Sequence, residues 1–408
     1  MKVVGIVSEY NPFHNGHKYH LQLSKKLCKA DYSLAIMSGN FLQRGEPALF
    51  DKWSRAKMAV INGIDLVIEL PVIYSCQSAE LFAFGAIKIL DSLKVVDYLS
   101  FGSENGNIHD LYKAAETLLN EPDYVKVKIR SLLDEGMTYS KAISQAYSGL
   151  MGNLLSYPNN ILGIEYIKSL LLINSSIKPI TVKRIGNNYN DTVFKGSISS
   201  ATAIREGLKT SGLTKEIKDS IPEASWRIVV DNIKKGKGPI FWDNFSDILL
   251  YHIRKSTHQS MRNLPEIKEG LEYRFKKAGD ASSCFEELVN LIKTKRYTRT
   301  LLQRNLCHML LDINKKDIEY AKRIDSPIYV RVLALNNKGR SLLKEIGRKS
   351  NTPIINKAAD FKASSSFLER MFYLDVLATD IYNLGYNNKK YKLSGEDFRT
   401  SPFYAELP

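Results

Sequence analysis

Cysteine is scarce in this chain. Its 408 residues hold four, Cys28, Cys76, Cys284 and Cys307, far apart and without a Cys-x-x-Cys pair. A disulfide framework or a cysteine-based zinc site is therefore not expected, and a reduced, cytoplasmic protein is. Long apolar runs are missing as well. None approaches the roughly 18 residues needed to cross a bilayer, so no membrane partner is expected. The first residues offer one lysine, a short β-type run and then polar loop residues, without the h-region and cleavage site of a signal peptide. There is no low-complexity tract and no internal repeat. Histidine is rare too, at seven residues, yet His14, His17 and His20 fall together near the start.

The remainder is ordinary for a soluble globular protein: 44% hydrophobic and 25% charged residues. The length suits two or three domains. The net charge of +15 is uneven. Residues 1–205 carry 22 Lys+Arg against 18 Asp+Glu, a net of +4; the rest carry 36 against 25, a net of +11. A basic C-terminal half points to a polyanionic partner, nucleic acid foremost, against the plainer reading of solubility charge on helical faces.

Strand and helix signals alternate through the first half. Residues 3–8, 32–37, 65–70, 96–101 and 179–185 read as strands. Residues 16–30, 53–61 and 79–93 read as helices, and 108–175 as mostly helical. This rhythm predicts an α/β fold with a Rossmann-like parallel sheet, whose ligands sit at the carboxyl ends of the strands. Glycine and short polar residues gather at those ends, including a loop over residues 186–191. Beyond about residue 215 helical patterns dominate, for example 245–254, 283–292 and 299–311, while 327–335 could be strand or helix. The chain accordingly divides into a catalytic domain over 1–210 and a mainly α-helical, basic domain over 211–408.

Four constellations could carry chemistry. In the first, His14-Asn15-Gly16-His17 follows a buried strand and opens a helix. Helix N–H groups, a glycine allowing close backbone approach and two imidazole donors suit a triphosphate and the charge that builds as pyrophosphate leaves. This is the HxGH signature of nucleotidylyl transferases. A zinc site on His14, His17 and His20 is the weaker reading, because no carboxylate or cysteine is spaced to complete it, and no metal ligands are assigned. The second is Ser197-Ile198-Ser199-Ser200-Ala201-Thr202-Ala203-Ile204-Arg205, a serine-capped helix start resembling the Ile-Ser-Ser-Thr-x-Ile-Arg motif that holds ATP phosphates in those enzymes. Ala201 stands where threonine is usual. The third is the 37–48 loop, with Ser38, Gly39, Asn40, Gln43 and Arg44 as candidate substrate contacts; in the helix start behind it, Asp51, Lys52 and Arg55 read equally well as charge pairing. The fourth is basic and aromatic: Lys295, Arg296, Tyr297, Arg299 and Arg304, where cations would meet phosphates and Tyr297 could stack on a base.

The stretches NPFHNGH, MSGNFLQRGEPALFDKWSRAKMA, DLVIELP, SISSATAIR, KRYTRTLLQRNL and YVRVLALNNKG resemble the bacterial tRNA(Met) cytidine acetate ligases over nearly the whole chain. The resemblance implies activation of acetate by ATP as acetyl-adenylate, then acetyl transfer to N4 of the wobble cytidine of elongator tRNA(Met). It implies an ATP site made of Val7, Ser8, Glu9, Tyr10, Asn11, Pro12, Phe13, His14, Asn15, Gly16, His17, Lys18, Tyr19 and His20, with Gly102, Asn160 (or its neighbour Asn159), Arg184 and Ser200. His14, His17, Ser199 and Arg205 would be the catalytic groups, and Lys295, Arg296, Arg299 and Arg304 the tRNA contacts. Magnesium is expected with ATP, although no carboxylate pair marks its site. The alternative is a small-molecule adenylyltransferase of the pantetheine or nicotinamide nucleotide type, which leaves the long basic extension without a role.

Overall fold

The structure, a computed structural model, describes residues 1–184, 199–268 and 270–406. The 186–191 loop and the first two motif residues, Ser197 and Ile198, lie outside the described residues, as does the end of the 179–185 strand reading.

Five strands form the parallel part of the sheet: β1 (Val3–Ser8), β2 (Tyr32–Ser38), β3 (Leu66–Leu70), β4 (Tyr98–Ser103) and β5 (Lys178–Lys183), in the order β5-β4-β1-β2-β3. The β-branched and aliphatic runs of β1, β2 and β3 are buried almost throughout, as parallel strands covered on both faces require. Alternate residues feed two cores. Leu34, Ile36, Leu66 and Ile68 face one side; Ala35, Met37 and Val67 face the other. The helices that matter for the site are α1 (Asn15–Cys28), α2 (Lys52–Ile61), α3 (Ala79–Ser92), α4 (Pro158–Leu172) and α5 (Ala201–Thr210), then α6 (Phe285–Ile292), α7 (Arg299–Leu310), α8 (Ser366–Leu384) and the short α9 (Glu396–Arg399).

The chain beyond residue 210 does not stand apart from the sheet. The segment that the sequence left open between strand and helix is β6 (Val330–Asn336), which pairs antiparallel with β3. Strands β7 (Ile354–Ile355) and β8 (Phe403–Ala405) then pair with β6. One apolar core runs from Phe41 and Tyr74 to Phe285, Leu302 and Leu306 of the helical half. The seam is also held by charge. Lys52 donates to Glu69 at 2.8 Å and to Asp397 at 2.8 Å, and Arg331 on β6 meets the same two carboxylates. Among the described residues, no helix is long and apolar enough to cross a membrane.

The parallel order reverses direction between β1 and β4, the place where a cleft opens at the carboxyl ends of such a sheet. The loops after β1 and β2, the end of β4 and Arg184 just after β5 come together there.

Candidate active site

The loop after β1 turns through Tyr10, which has φ +46°, and a cis Asn11–Pro12 peptide, and enters α1 at His14. His14 is the N-cap. Its Nδ1 accepts from Gly16 N–H at 3.1 Å, and its own N–H donates to Nδ1 of His17 at 3.2 Å. The two rings stack with centroids 3.7 Å apart. With both Nδ1 lone pairs engaged by backbone donors, each neutral imidazole carries its proton on Nε2. The capping geometry thus makes the pair two hydrogen-bond donors. Tyr10 and Phe13 box His17, with ring centroids 5.0 and 5.6 Å away.

Burial, with the charge of Arg184 added to it, pushes His14 down to about 3 and His20 down to about 4, and holds His17 well below its usual value. The histidines are therefore neutral at pH 7. In the unfolded chain the same groups titrate near 6.5, so as pH falls the unfolded state takes up protons first and folding stability is lost. Between pH 7 and pH 5 the loss amounts to about 2 kcal/mol for His14. Urea denaturation should show it, and the loss should be smaller by about that amount in His14→Gln. Equal losses in the two proteins would show that His14 is not held neutral.

A cavity of about 730 Å³ opens over this pair. Its lining includes Val7, Ser8, Glu9, Tyr10, Asn11, His14, Gly16, His17, Tyr19 and His20 from the first loop and helix. Asn11 is buried; its Oδ1 accepts from Leu49 N–H at 2.8 Å, and its Nδ2 donor has no partner among the described residues. Pro12, Phe13, Asn15 and Lys18 are not on the wall. Phe13 is core, Lys18 is exposed, and the Asn15 side chain donates to Asp219 O at 2.8 Å.

Across the cleft lie Gly102 at the end of β4 and Arg184 just after β5. A Cβ on Gly102 would come within 3.2 Å of Arg184 Cγ, so the glycine leaves room for that side chain to lie over the strand end. Of the two asparagines opening α4, Asn159 lines the cavity and Asn160 does not. Asn160 is buried, its Oδ1 accepting from Asn105 N–H at 3.0 Å. Adjacent helical residues point about 100° apart, so only one of the two can face the ligand. Glu104 fixes the turn by accepting from both backbone N–H groups.

Ser199, Ser200, Thr202 and Arg205 complete the cavity from the start of α5. Ser200 is the N-cap, its Oγ accepting from Ala203 N–H at 3.0 Å. Ser199 Oγ accepts from Ser220 at 3.0 Å. Thr202, one place beyond the usual threonine, brings a hydroxyl to the wall. Arg205 pairs with Glu46 at 3.3 Å.

The 37–48 loop divides into two parts. Gln43 and Arg44 line the cavity; Ser38, Gly39 and Asn40 do not. Those three belong to the scaffold. Arg55, fully buried, donates to the carbonyls of Glu9, Ser38, Gly39 and Phe50 and so ties the ends of β1 and β2 together. Asn40 accepts from Lys52 N–H at 2.8 Å. The loop is clamped to the helical half at Gly45. With φ +72°, its Cα lies so close to α7 that a Cβ would sit 2.3 Å from Arg304 N. Trp242 Nε1 also donates to Gly45 O at 2.9 Å.

From the basic stretch, Arg296 and Arg304 reach the cavity wall, while Lys295 and Arg299 do not. Arg304 is held by both oxygens of Glu266 at 2.6 Å, and Arg299 by both oxygens of Glu286. Lys295 and Arg296 are exposed, and Arg296 lines the cavity. The sequence reading missed an apolar side of the cavity, Phe82, Phe101, Leu162 and Tyr166, together with Lys183. Buried apolar residues in helices and strands carry no local mark that separates a ligand wall from core.

Among the described residues there is no group of three or more His, Cys, Asp or Glu able to hold a metal, so the zinc reading of His14, His17 and His20 has no site.

A parallel sheet with a histidine pair at the cap of its first helix, facing a serine-capped helix that carries an arginine, defines a nucleotidyl transferase of the HxGH type. The description HIGH Nucleotidyl Transferase matches residues 1–397. The chain is 44% identical over 408 residues to the tRNA(Met) cytidine acetate ligase of Acetivibrio thermocellus, covering 98% of each. It is 46% identical over 403 residues to that of a Thermoanaerobacter species, again covering 98% of each. Among solved structures, Thermotoga maritima TmcAL bound with alpha-thio ATP is 35% identical with a TM-score of 0.92 over 100% of both chains, and its apo form is 36% identical with 0.94. The chain belongs to the tRNA(Met) cytidine acetate ligase family.

Proposed function

We propose that the protein activates acetate with ATP to acetyl-adenylate and pyrophosphate, and then passes the acetyl group to N4 of the wobble cytidine, position 34, of elongator tRNA(Met), giving N4-acetylcytidine. The carrying observation is that one cavity is lined both by the HxGH pair and by Arg296 and Arg304 of the basic half. A small-molecule adenylyltransferase would need only the first of these walls.

The chemistry follows from the donors. Acetate attacks the α-phosphorus in line with the departing pyrophosphate, and no nucleophilic side chain is required. The neutral Nε2–H groups of His14 and His17, the Nδ2 of Asn11, the hydroxyls of Ser199 and Thr202 and the guanidinium groups of Arg184 and Arg205 stabilise the charge that gathers on phosphate oxygens. Being uncharged, the imidazoles donate without holding pyrophosphate in the site as tightly as imidazolium ions would. Magnesium would arrive with the ATP phosphates, since the carboxylates among the described residues form no cage for it, and no step is assigned to it. Use of ATP and tRNA as substrates favours a cytoplasmic location.

The test is transfer of label from acetate to tRNA(Met) transcript, beside a transcript with uridine at position 34. Label in the first alone is expected; label in neither, with ATP present, would overturn the reading. Arg296→Glu should weaken tRNA(Met) binding about tenfold and reduce the salt dependence of that binding, as expected when a phosphate contact is lost. A filter-binding titration at two salt concentrations checks both, and unchanged affinity would return Arg296 to the solvated surface.

A further inference from the structure

The second half-reaction releases a proton, because the cytosine N4 amino group enters with two hydrogens and leaves with one. Its lone pair is delocalised into the ring, so attack on a carbonyl is aided when a base takes that proton as the bond forms. The HxGH histidines cannot serve. Each Nδ1 lone pair is occupied by a backbone donor, and each Nε2 already carries hydrogen. His20 spends Nε2 on Ser100, 3.2 Å away, and burial keeps its basicity down to about 4. Lysine and arginine side chains have no acceptor.

Among the described residues two carboxylates line the cavity, Glu9 and Glu266. Both oxygens of Glu266 are bound by Arg304. Glu9 is different. It stands directly after β1, its carbonyl accepting from Arg55 at 2.6 Å. Its Oε1 accepts from Gln43 N–H at 2.8 Å, and its other oxygen accepts no hydrogen bond from a described residue. The residue is five positions before His14, on the same loop that feeds the imidazole pair, and an anion there is ill suited to holding a polyphosphate.

We propose that Glu9 is the general base of the acetyl transfer and the group that recognises the cytosine amino group. This rests on the acetyl-transfer reading above. One carboxylate oxygen accepts a hydrogen bond from N4–H, a contact that uracil, with a carbonyl at that position, cannot make. As N4 bonds to the acetyl carbon, the bond from that carbon to the adenylate oxygen breaks, AMP leaves with the electron pair, and the N4 proton passes to Glu9. Burial raises the Glu9 carboxyl above its usual value, against the pull of Arg205 and Arg44, and Glu46 raises it further. Arg55 and Tyr166 also lie within its field. A raised value makes the carboxylate a better proton acceptor.

The test is single-turnover transfer. Enzyme is charged with ATP, acetate and pyrophosphatase, then mixed with tRNA(Met) transcript and quenched. Glu9→Gln keeps an acceptor for Gln43 N–H and loses the base. Transfer should fall about 100-fold and at least tenfold more than acetate-dependent ATP–pyrophosphate exchange. The wild-type transfer rate should rise with pH and level off as the carboxyl ionises, and the variant should lack that rise. Equal losses in exchange and transfer would assign Glu9 to ATP and overturn the inference, as would unimpaired transfer. A wild-type protein that forms acetyl-adenylate but never labels tRNA would sink the acetyl-transfer reading, and this inference with it, a failure distinct from either variant result.

Discussion

His17→Ala should lower acetate-dependent ATP–pyrophosphate exchange by about 10²–10³-fold, with tRNA(Met) affinity kept within about twofold. The effect is large because the ring acts twice. Its Nε2–H is one of the two imidazole donors proposed to meet the phosphates, and its Nδ1 accepts the His14 N–H that closes the cap. Removing it takes away one donor and loosens the other. The tRNA contacts proposed above, Arg296 and Arg304, come to the same cavity from the helical half of the chain rather than from the α1 cap. Exchange at the wild-type rate would remove the imidazole pair from the chemistry.

Asp397→Ala should destabilise the fold by about 3–5 kcal/mol, the cost of breaking a buried ion cluster by removing one partner. Lys52 and Arg331 are buried and share Glu69 and Asp397 as counterions. Without Asp397, two cations face one carboxylate in a site shielded from water, with buried Asp375 nearby, its own acid pushed up to about 7 by that burial and by Glu69. Asp397 itself is held below the usual carboxylate range by Lys52 and Arg331 against its burial, so the stability it contributes is present near neutrality and is lost as pH falls. Urea denaturation at pH 7 reads the effect, and a loss under about 1 kcal/mol would place the cluster among the energetically minor ion pairs. The cluster matters to the site because Glu69 packs against Gly39, where a Cβ would sit 2.6 Å from its Oε1. It thereby holds the end of β2 that Arg55 ties to Glu9.

Much of this was legible beforehand because it is local. Val3–Ser8 reads as a strand from its β-branched run, and the histidine pair from its spacing after that strand. A serine cap, at Ser199 or Ser200, reads from its place before the helix that carries Arg205, and the structure makes it Ser200. Other features depend on contacts across the chain. β6 is one strand after more than a hundred mostly helical residues, and only its antiparallel partner β3, some 260 positions earlier, gives it a place. Asn159 and Asn160 are indistinguishable until Glu104 and Asn105 fix the turn of α4. Ser38, Gly39 and Asn40 look like ligand residues by composition, yet the buried guanidinium of Arg55 takes up the carbonyls of Ser38 and Gly39, and the amide of Lys52 takes up Asn40 Oδ1. Arg299 and Arg304 read in the sequence as cations without counterions, and only the fold shows Glu286 and Glu266 paired with them. That pairing suggests helix α7 has a structural share in joining the halves through Gly45, beside any contact with RNA.

The most direct test of the central claim is pyrophosphate release from ATP by the purified protein, with and without acetate and with and without tRNA(Met) transcript. Release should require acetate, stop near one equivalent per protein when tRNA is absent, and turn over continuously when it is added. Release indifferent to both acetate and tRNA would contradict the two-step account and leave the nucleotidyl transferase site in need of another acceptor.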